Sequence, residues 1–209
     1  STRKDVSAAW KNFRNSDDNM GITSAKTPTS EATTYEKWFK KLGSGWGAAP
    51  SVQIIVDNSL IVMSANHIYK LDLNTGDILQ TGDMVAATNF GYTPPTYADG
   101  MIFAPLADGR VQAFNAETLE SLWVYQDTLK GQSLSPITYS DGYIYTGFWN
   151  AETKDANYVC IPVTDEDPTN AQEAKEAAWQ YTSLGGFYWA GSVVRGDYVV
   201  FGTDDGTSG

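Results

Sequence analysis

The chain has 209 residues, 42% of them hydrophobic and 19% charged, the make-up of a folded protein of one or two domains with a substantial core. Its formal charge of −11 excludes a nucleic-acid binder, which needs Lys and Arg to displace counterions, and opposes an anionic membrane surface. No apolar run approaches the roughly 18 residues of a membrane-spanning helix, and the single cysteine, Cys160, rules out an intrachain disulfide.

Residues 1–34 are polar and read as an extended leader, with Trp10 and Phe13 as its anchors onto the body. The leader opens Ser1-Thr2-Arg3-Lys4-Asp5, without the apolar stretch of a signal peptide, which an exported protein sheds on maturation. Residues 35–49 carry the phrase Lys37-Trp38-Phe39-Lys40-Lys41-Leu42-Gly43. From Pro50 the chain repeats itself.

The first unit, residues 50–88, has an apolar run, the turn Asp57-Asn58 and a second apolar run. An alternating strand follows, Ile68-Tyr69-Lys70-Leu71-Asp72, and then the turn Asn74-Thr75-Gly76-Asp77. The second unit, residues 89–130, repeats this with Asp99-Gly100, Val111-Gln112-Ala113-Phe114-Asn115 and a closing Leu122-Trp123. The third unit, residues 131–185, has Asp141-Gly142 and carries an insertion after its third strand. There a short helical turn is expected from about Ala171, where Ala, Glu and Lys favour helix. Its last strand arrives at Trp179. The fourth unit, residues 186–209, holds only two strands around Gly196-Asp197.

The turn aspartate recurs at positions 57, 99 and 141, a constant step of 42 residues. A period of about 40–45 residues built from four short strands predicts a β-propeller, one blade per unit. Aromatic residues at 13%, with 7 Trp and 12 Tyr, suit such an all-β fold. Trp38, Trp123 and Trp179 fall in one repeated outer-strand slot and read as structural. Residues 35–49 are then expected to lend an outer strand to the last blade. About three and a half blades make a partial ring, so the chain reads as a piece of a longer one or as a homo-oligomer that completes the ring.

Several phrases resemble a known family. Tyr145-Thr146-Gly147, the run from Asp108-Gly109-Arg110 to Asn115-Ala116-Glu117-Thr118, and Leu122-Trp123 resemble the repeats of quinoprotein-like propellers of the pyrroloquinoline-quinone type. The leader segment Ala9-Trp10-Lys11-Asn12-Phe13-Arg14-Asn15 is similar to the Trp-x-x-Phe-Arg opening of many such domains. The resemblance spans residues 9–209. Some members are dehydrogenases that hold the quinone and Ca²⁺ in the central channel, with an adjacent Cys-Cys pair and carboxylate ligands. Others lack the cofactor and serve as assembly or surface scaffolds. This chain has no Cys-Cys pair and no matching catalytic Asp. The resemblance therefore implies a non-catalytic binding or scaffold module of an exported, cell-surface bacterial protein, with no cofactor, no metal and a protein or glycan ligand. The alternatives are a fragment of a quinone- and calcium-dependent alcohol or sugar dehydrogenase and an outer-membrane assembly scaffold.

Little else in the chain points to chemistry. His67 is the lone histidine and supports neither a triad nor a His-based metal site. The acidic runs Asp17-Asp18, Asp165-Glu166-Asp167 and Asp204-Asp205 are too short for the six to eight oxygens of a Ca²⁺ site and read as solvated turns. Cys160 sits in an apolar run and reads as a small core residue. The lead-ins to the innermost strands are rich in rings: Trp46, then Asn89, Phe90 and Tyr92, then Gln132, then Phe187, Tyr188 and Trp189. Two readings fit them. They converge at the channel mouth to take a sugar or other flat ligand, or they pack between blades.

Overall fold

A computed structural model describes residues 3, 5–88 and 91–204. It holds fifteen strands and three short 3₁₀ turns among these residues. The first blade is β1 (Ile54–Val56), β2 (Ser59–Ser64), β3 (His67–Asp72) and β4 (Ile78–Asp83), antiparallel and in sequence order. The second runs β5 (Thr96–Ala98), β6 (Met101–Leu106), β7 (Arg110–Asn115) and β8 (Ser121–Gln126). The third is β9 (Thr138–Ser140), β10 (Tyr143–Gly147), β11 (Asp155–Pro162) and, after β12 (Glu173–Lys175), β13 (Trp179–Leu184). β14 (Val193–Arg195) and β15 (Tyr198–Val200) form a two-stranded start of a fourth.

The repeated phrases have repeated jobs. Asp99-Gly100 and Asp141-Gly142 each take positive φ at both residues, the two-residue turn that matches strand twist. In the β3–β4 turn, Asp72 accepts the amides of Asn74 and Thr75 at 2.7 and 2.9 Å. These two bonds hold its carboxyl below the usual range. In the β7–β8 turn, Asn115 accepts the amides of Glu117 and Thr118 at 2.8 and 3.2 Å. Thr96 Oγ1 donates to the Ile137 carbonyl at 2.8 Å, and Thr138 Oγ1 donates to that of Ser192 at 2.9 Å. Each inner strand thus clasps the lead-in of the next.

The core lies between blades. Ile54, Ile61, Met63 and Ile68 pack against Ile102, Leu106 and Phe114. Phe103, Val111 and Trp123 pack against Ile144, Phe148 and Val159. Strand β6 is buried along its whole length because the second blade has a neighbour on each face. Cys160 is a buried core residue on β11, as expected.

One expectation is corrected here. The insertion forms no helical turn at Ala171. Instead Glu173–Lys175 becomes β12 and pairs in parallel with β8, adding a fifth strand to the second blade. The free edge of β8 satisfies more backbone groups than one helical turn would. Among the described residues, 35–49 pair with no sheet and hold only the 3₁₀ turn Trp46–Ala48; the last blade, which they are expected to complete, is not among the described strands. Trp38 lies on the β3–β4 turn, where a Cβ at Gly76 would sit 2.6 Å from its ring and its Nε1 donates to Leu73. Trp38 and Trp123 share the tryptophan slot: each Nε1 donates at 3.1 Å to the carbonyl that directly follows the third strand of a blade, Leu73 after β3 and Val163 after β11. Trp123 is fully buried, whereas Trp179 is 40% exposed because the two strands beyond it do not reach that far out.

The leader takes the channel side. Trp10 exchanges both backbone hydrogen bonds with Ile55 at 3.1 and 2.9 Å, and Lys11 accepts from the Tyr97 amide. It therefore runs along the inner edges of β1 and β5. Asn12, rather than Trp10 or Phe13, is its buried anchor.

Candidate functional site

Antiparallel blades place the lead-in to each inner strand at the same end as the turn after its second strand. Four rings meet at that rim. Tyr92 precedes β5, Trp149 follows β10, and Tyr188 and Trp189 precede β14. Trp149 and Tyr188 have ring centroids 5.6 Å apart, Tyr188 and Trp189 5.3 Å, and Trp189 and Tyr92 5.5 Å. These are edge-on or tilted contacts, the geometry that aromatic quadrupoles favour. Tyr92 and Trp189 are half exposed.

The sequence-predicted residues divide between the two readings. Tyr92, Tyr188 and Trp189 join the rim row. Phe187 is 1% exposed and packs against Tyr158, Tyr181 and Phe201, so it belongs to blade packing. Gln132 exchanges backbone hydrogen bonds with Trp149 at 2.7 and 3.0 Å and so positions that ring. Trp46 is 76% exposed on its own short turn and is not part of the row. Asn89 and Phe90 lie outside the described residues, as does Asp205 of the last acidic run. Trp149 was missed because it stands in a blade turn, not in a lead-in. Its signal is its place next to Phe148, directly after β10.

The electrostatics are local. Asp204 beside the Tyr188 hydroxyl pushes that phenol above its ordinary range, as one charge disfavours another. His67 Nδ1 lies 3.0 Å from Asp83 Oδ1 in the first blade. Among the described residues, no three His, Cys, Asp or Glu side chains gather to hold a metal ion.

A quinone with Ca²⁺ would need an open channel lined by carboxylates. Here the leader backbone from Ser7 to Lys11 fills the inner edges of β1 and β5, and Cys160 is a buried lone thiol on β11. The described residues of this chain do not fit that pair.

A family model described as outer membrane protein assembly factor BamB matches residues 27–152, more than half of the chain. The chain belongs to this family. No curated protein matches the chain. Among solved structures, a europium-containing methanol dehydrogenase aligns over 84% of this chain and 32% of its own, with 18% identity and a TM-score of 0.57. BamB from Moraxella catarrhalis aligns over 75% of this chain and 40% of its own, with 18% identity and a TM-score of 0.53. The computationally designed Ika4 protein aligns over 81% of this chain and 96% of its own, with 16% identity and a TM-score of 0.57. These identities speak for the quinoprotein-like propeller fold alone. The chain spans less than half the length of either natural structure. The family match covers the first two blades and enters the third. It takes in Tyr92 and Trp149 of the rim row and stops short of Tyr188 and Trp189.

Proposed function

We propose that the chain is a non-catalytic binding or scaffold module of an exported bacterial surface protein, which holds a protein or glycan at the propeller rim. The observation that carries this reading is the row Tyr92–Trp189–Tyr188–Trp149. Rings left half exposed in contact with one another, at the end of the fold where several blades converge, are the make-up of a recognition surface. The family description supports a place outside the cytoplasm, and it favours outer-membrane assembly as the second reading. Completion of the ring by further copies belongs to the same proposal.

The test is selection against the chain with a glycan array and a displayed peptide library, with Tyr188→Ala and Trp189→Ala as controls. The expected result is a glycan or peptide that binds the chain and neither variant. Dye reduction with alcohols or sugars once quinone and Ca²⁺ are supplied, or no ligand from either selection, overturns the reading.

A further inference from the structure

Beside Trp189 the rim opens into a cleft of about 460 Å³ between the leader and the lead-in to β14. Its walls are Phe13, Arg14, Asp18 and Asn19 on the leader side and Trp189 on the other, over a floor of Ala190 and Gly191. The volume falls within the range of small-molecule sites, roughly 300–1,000 Å³. We infer that this cleft is a saccharide subsite, with Trp189 as the stacking face and Arg14, Asp18 and Asn19 as hydroxyl partners. The inference rests on the rim-binding reading and narrows it to one ligand class.

The backbone of Trp189 is strained. Its φ of 65° lies in the left-handed region, which is unfavourable for a bulky side chain. Burial does not offset that cost, because the residue is 54% exposed. The conformation is held by the Leu134 carbonyl, which accepts the Trp189 amide at 3.2 Å, and by the Tyr188 carbonyl, which accepts that of Ala190 at 2.8 Å. Tyr92 and Tyr188 then fix the ring from two sides. The strain serves to present an indole, not to hide one.

The opposite wall is as firmly built. The Arg14 amide bonds Asn12 Oδ1 at 3.2 Å, and the Arg14 carbonyl accepts the Gly21 amide at 2.7 Å. Asn19 Nδ2 donates to the Ser192 carbonyl at 2.6 Å, leaving its Oδ1 as an acceptor. The Arg14 guanidinium lies 5.5 Å from the Phe13 ring centroid, and among the described residues no carboxylate pairs with it. A side chain at Gly191 would meet Asn19 and Pro136 at 3.3 Å, so glycine keeps the floor low.

The groups left over set the ligand class. A peptide adding a strand needs free backbone amides and carbonyls. Here the Trp189 and Ala190 amides and the Ser192 carbonyl are already paired. What remains is an aromatic face, a guanidinium, a carboxylate and an amide oxygen. A sugar ring offers the complement, an apolar C–H face and a belt of hydroxyls that both donate and accept.

The experiment titrates the chain with cellotetraose, maltotetraose and chitotetraose, followed by tryptophan fluorescence and calorimetry. At least one is expected to bind in the millimolar range or tighter. Trp189→Ala should weaken it about tenfold or more, Trp189→Phe less, and Arg14→Ala severalfold. Tyr198→Ala, a 74% exposed residue of β15 outside the cleft, should leave it unchanged. If Trp189→Ala fails to fold, Trp189→Phe and Arg14→Ala carry the test. Binding that ignores these substitutions overturns the inference, as does silence from all three sugars. A selected peptide that depends on Trp189 overturns the saccharide assignment and leaves the rim reading standing. No ligand of either class sinks both.

Discussion

Tyr97 donates its hydroxyl proton to Asp5 of the leader at 2.7 Å, in the place of the repeat where Tyr139 reaches Asp99 in the preceding blade. The leader thus supplies the carboxylate that an earlier blade would otherwise offer. The Tyr97 oxygen also accepts the Val6 amide at 2.8 Å. Tyr97→Phe should cost about 1 kcal/mol, the usual worth of such bonds, read as a lower urea midpoint. It should also raise the amide exchange of Val6–Lys11.

The same tyrosine sets an alkaline limit. Burial first, and then the bond to Asp5, push its phenol up to about 12. Burial likewise carries Tyr139 and Tyr145 to about 12. An unfolded tyrosine ionises near 10, so between these values the folded state holds protons that the unfolded chain has lost. The stabilisation is complete below pH 10 and falls away as pH rises through 12. Unfolding followed across this window should show stability declining, with a shallower slope in Tyr97→Phe. An unchanged slope would show that Tyr97 does not contribute.

Trp123 is fully buried, and its Nε1 donates to the Val163 carbonyl at 3.1 Å across the blade boundary. Trp123→Ala should cost about 3–5 kcal/mol. Trp123→Phe keeps much of the apolar bulk but leaves that carbonyl unpaired, a loss of about 1–3 kcal/mol. Chemical denaturation of the two variants separates packing from the hydrogen bond.

Two glycines should respond differently to alanine. A Cβ at Gly147 would stand 2.5 Å from Phe187 Cβ and 2.6 Å from Tyr158 Cδ2, where the fourth blade's lead-in packs on the third. Gly142 has a φ of 82° but nothing within 4 Å. Gly147→Ala therefore meets overpacking of about 1–3 kcal/mol, against roughly 1 kcal/mol for placing a side chain in the left-handed turn position. Melting curves should rank Gly147→Ala as the more harmful.

Lys175 holds β12 in place. Its side chain is 3% exposed and lies 3.4 Å from Glu166 and 3.5 Å from Glu173, over the Trp123 ring. Lys175→Met leaves Glu173, whose side chain is 13% exposed, without its cation, the costly way to break an ion pair. Amide exchange at Glu173–Lys175 should rise at least tenfold. Adding Glu173→Leu should not restore the protection, because Glu173 Oε2 also accepts the Glu166 and Asp167 amides at 3.0 and 2.7 Å.

The strands and their order were legible because each Asp-Gly turn and the phrases Asp72-x-x-Thr75 and Asn115-x-x-Thr118 encode their own local geometry. Asp141-Gly142 needs nothing beyond itself to form its turn. β12 was not legible because its partner is distant. The propensity of Ala171–Glu176 favours helix, but the open edge of β8 outweighs a few tenths of a kcal/mol per residue. Trp38 was legible through its phrase, which resembles that of Trp123, and the two indoles donate to equivalent carbonyls, Leu73 and Val163. The candidate site divided in the same way. Phe187 and Trp189 lie two positions apart and read alike, but one faces the next blade and the other faces solvent.

The parallel pair of β8 with β12 matches Trp123 with Glu173. The intervening chain includes the whole inner half of the third blade. On a ribosome, the second blade would emerge with its outer rim still bare and stay so while the third is made. A polypeptide halted before Glu173 would present that rim to any other strand it met. The order of synthesis therefore ties the finishing of one blade to the arrival of the next.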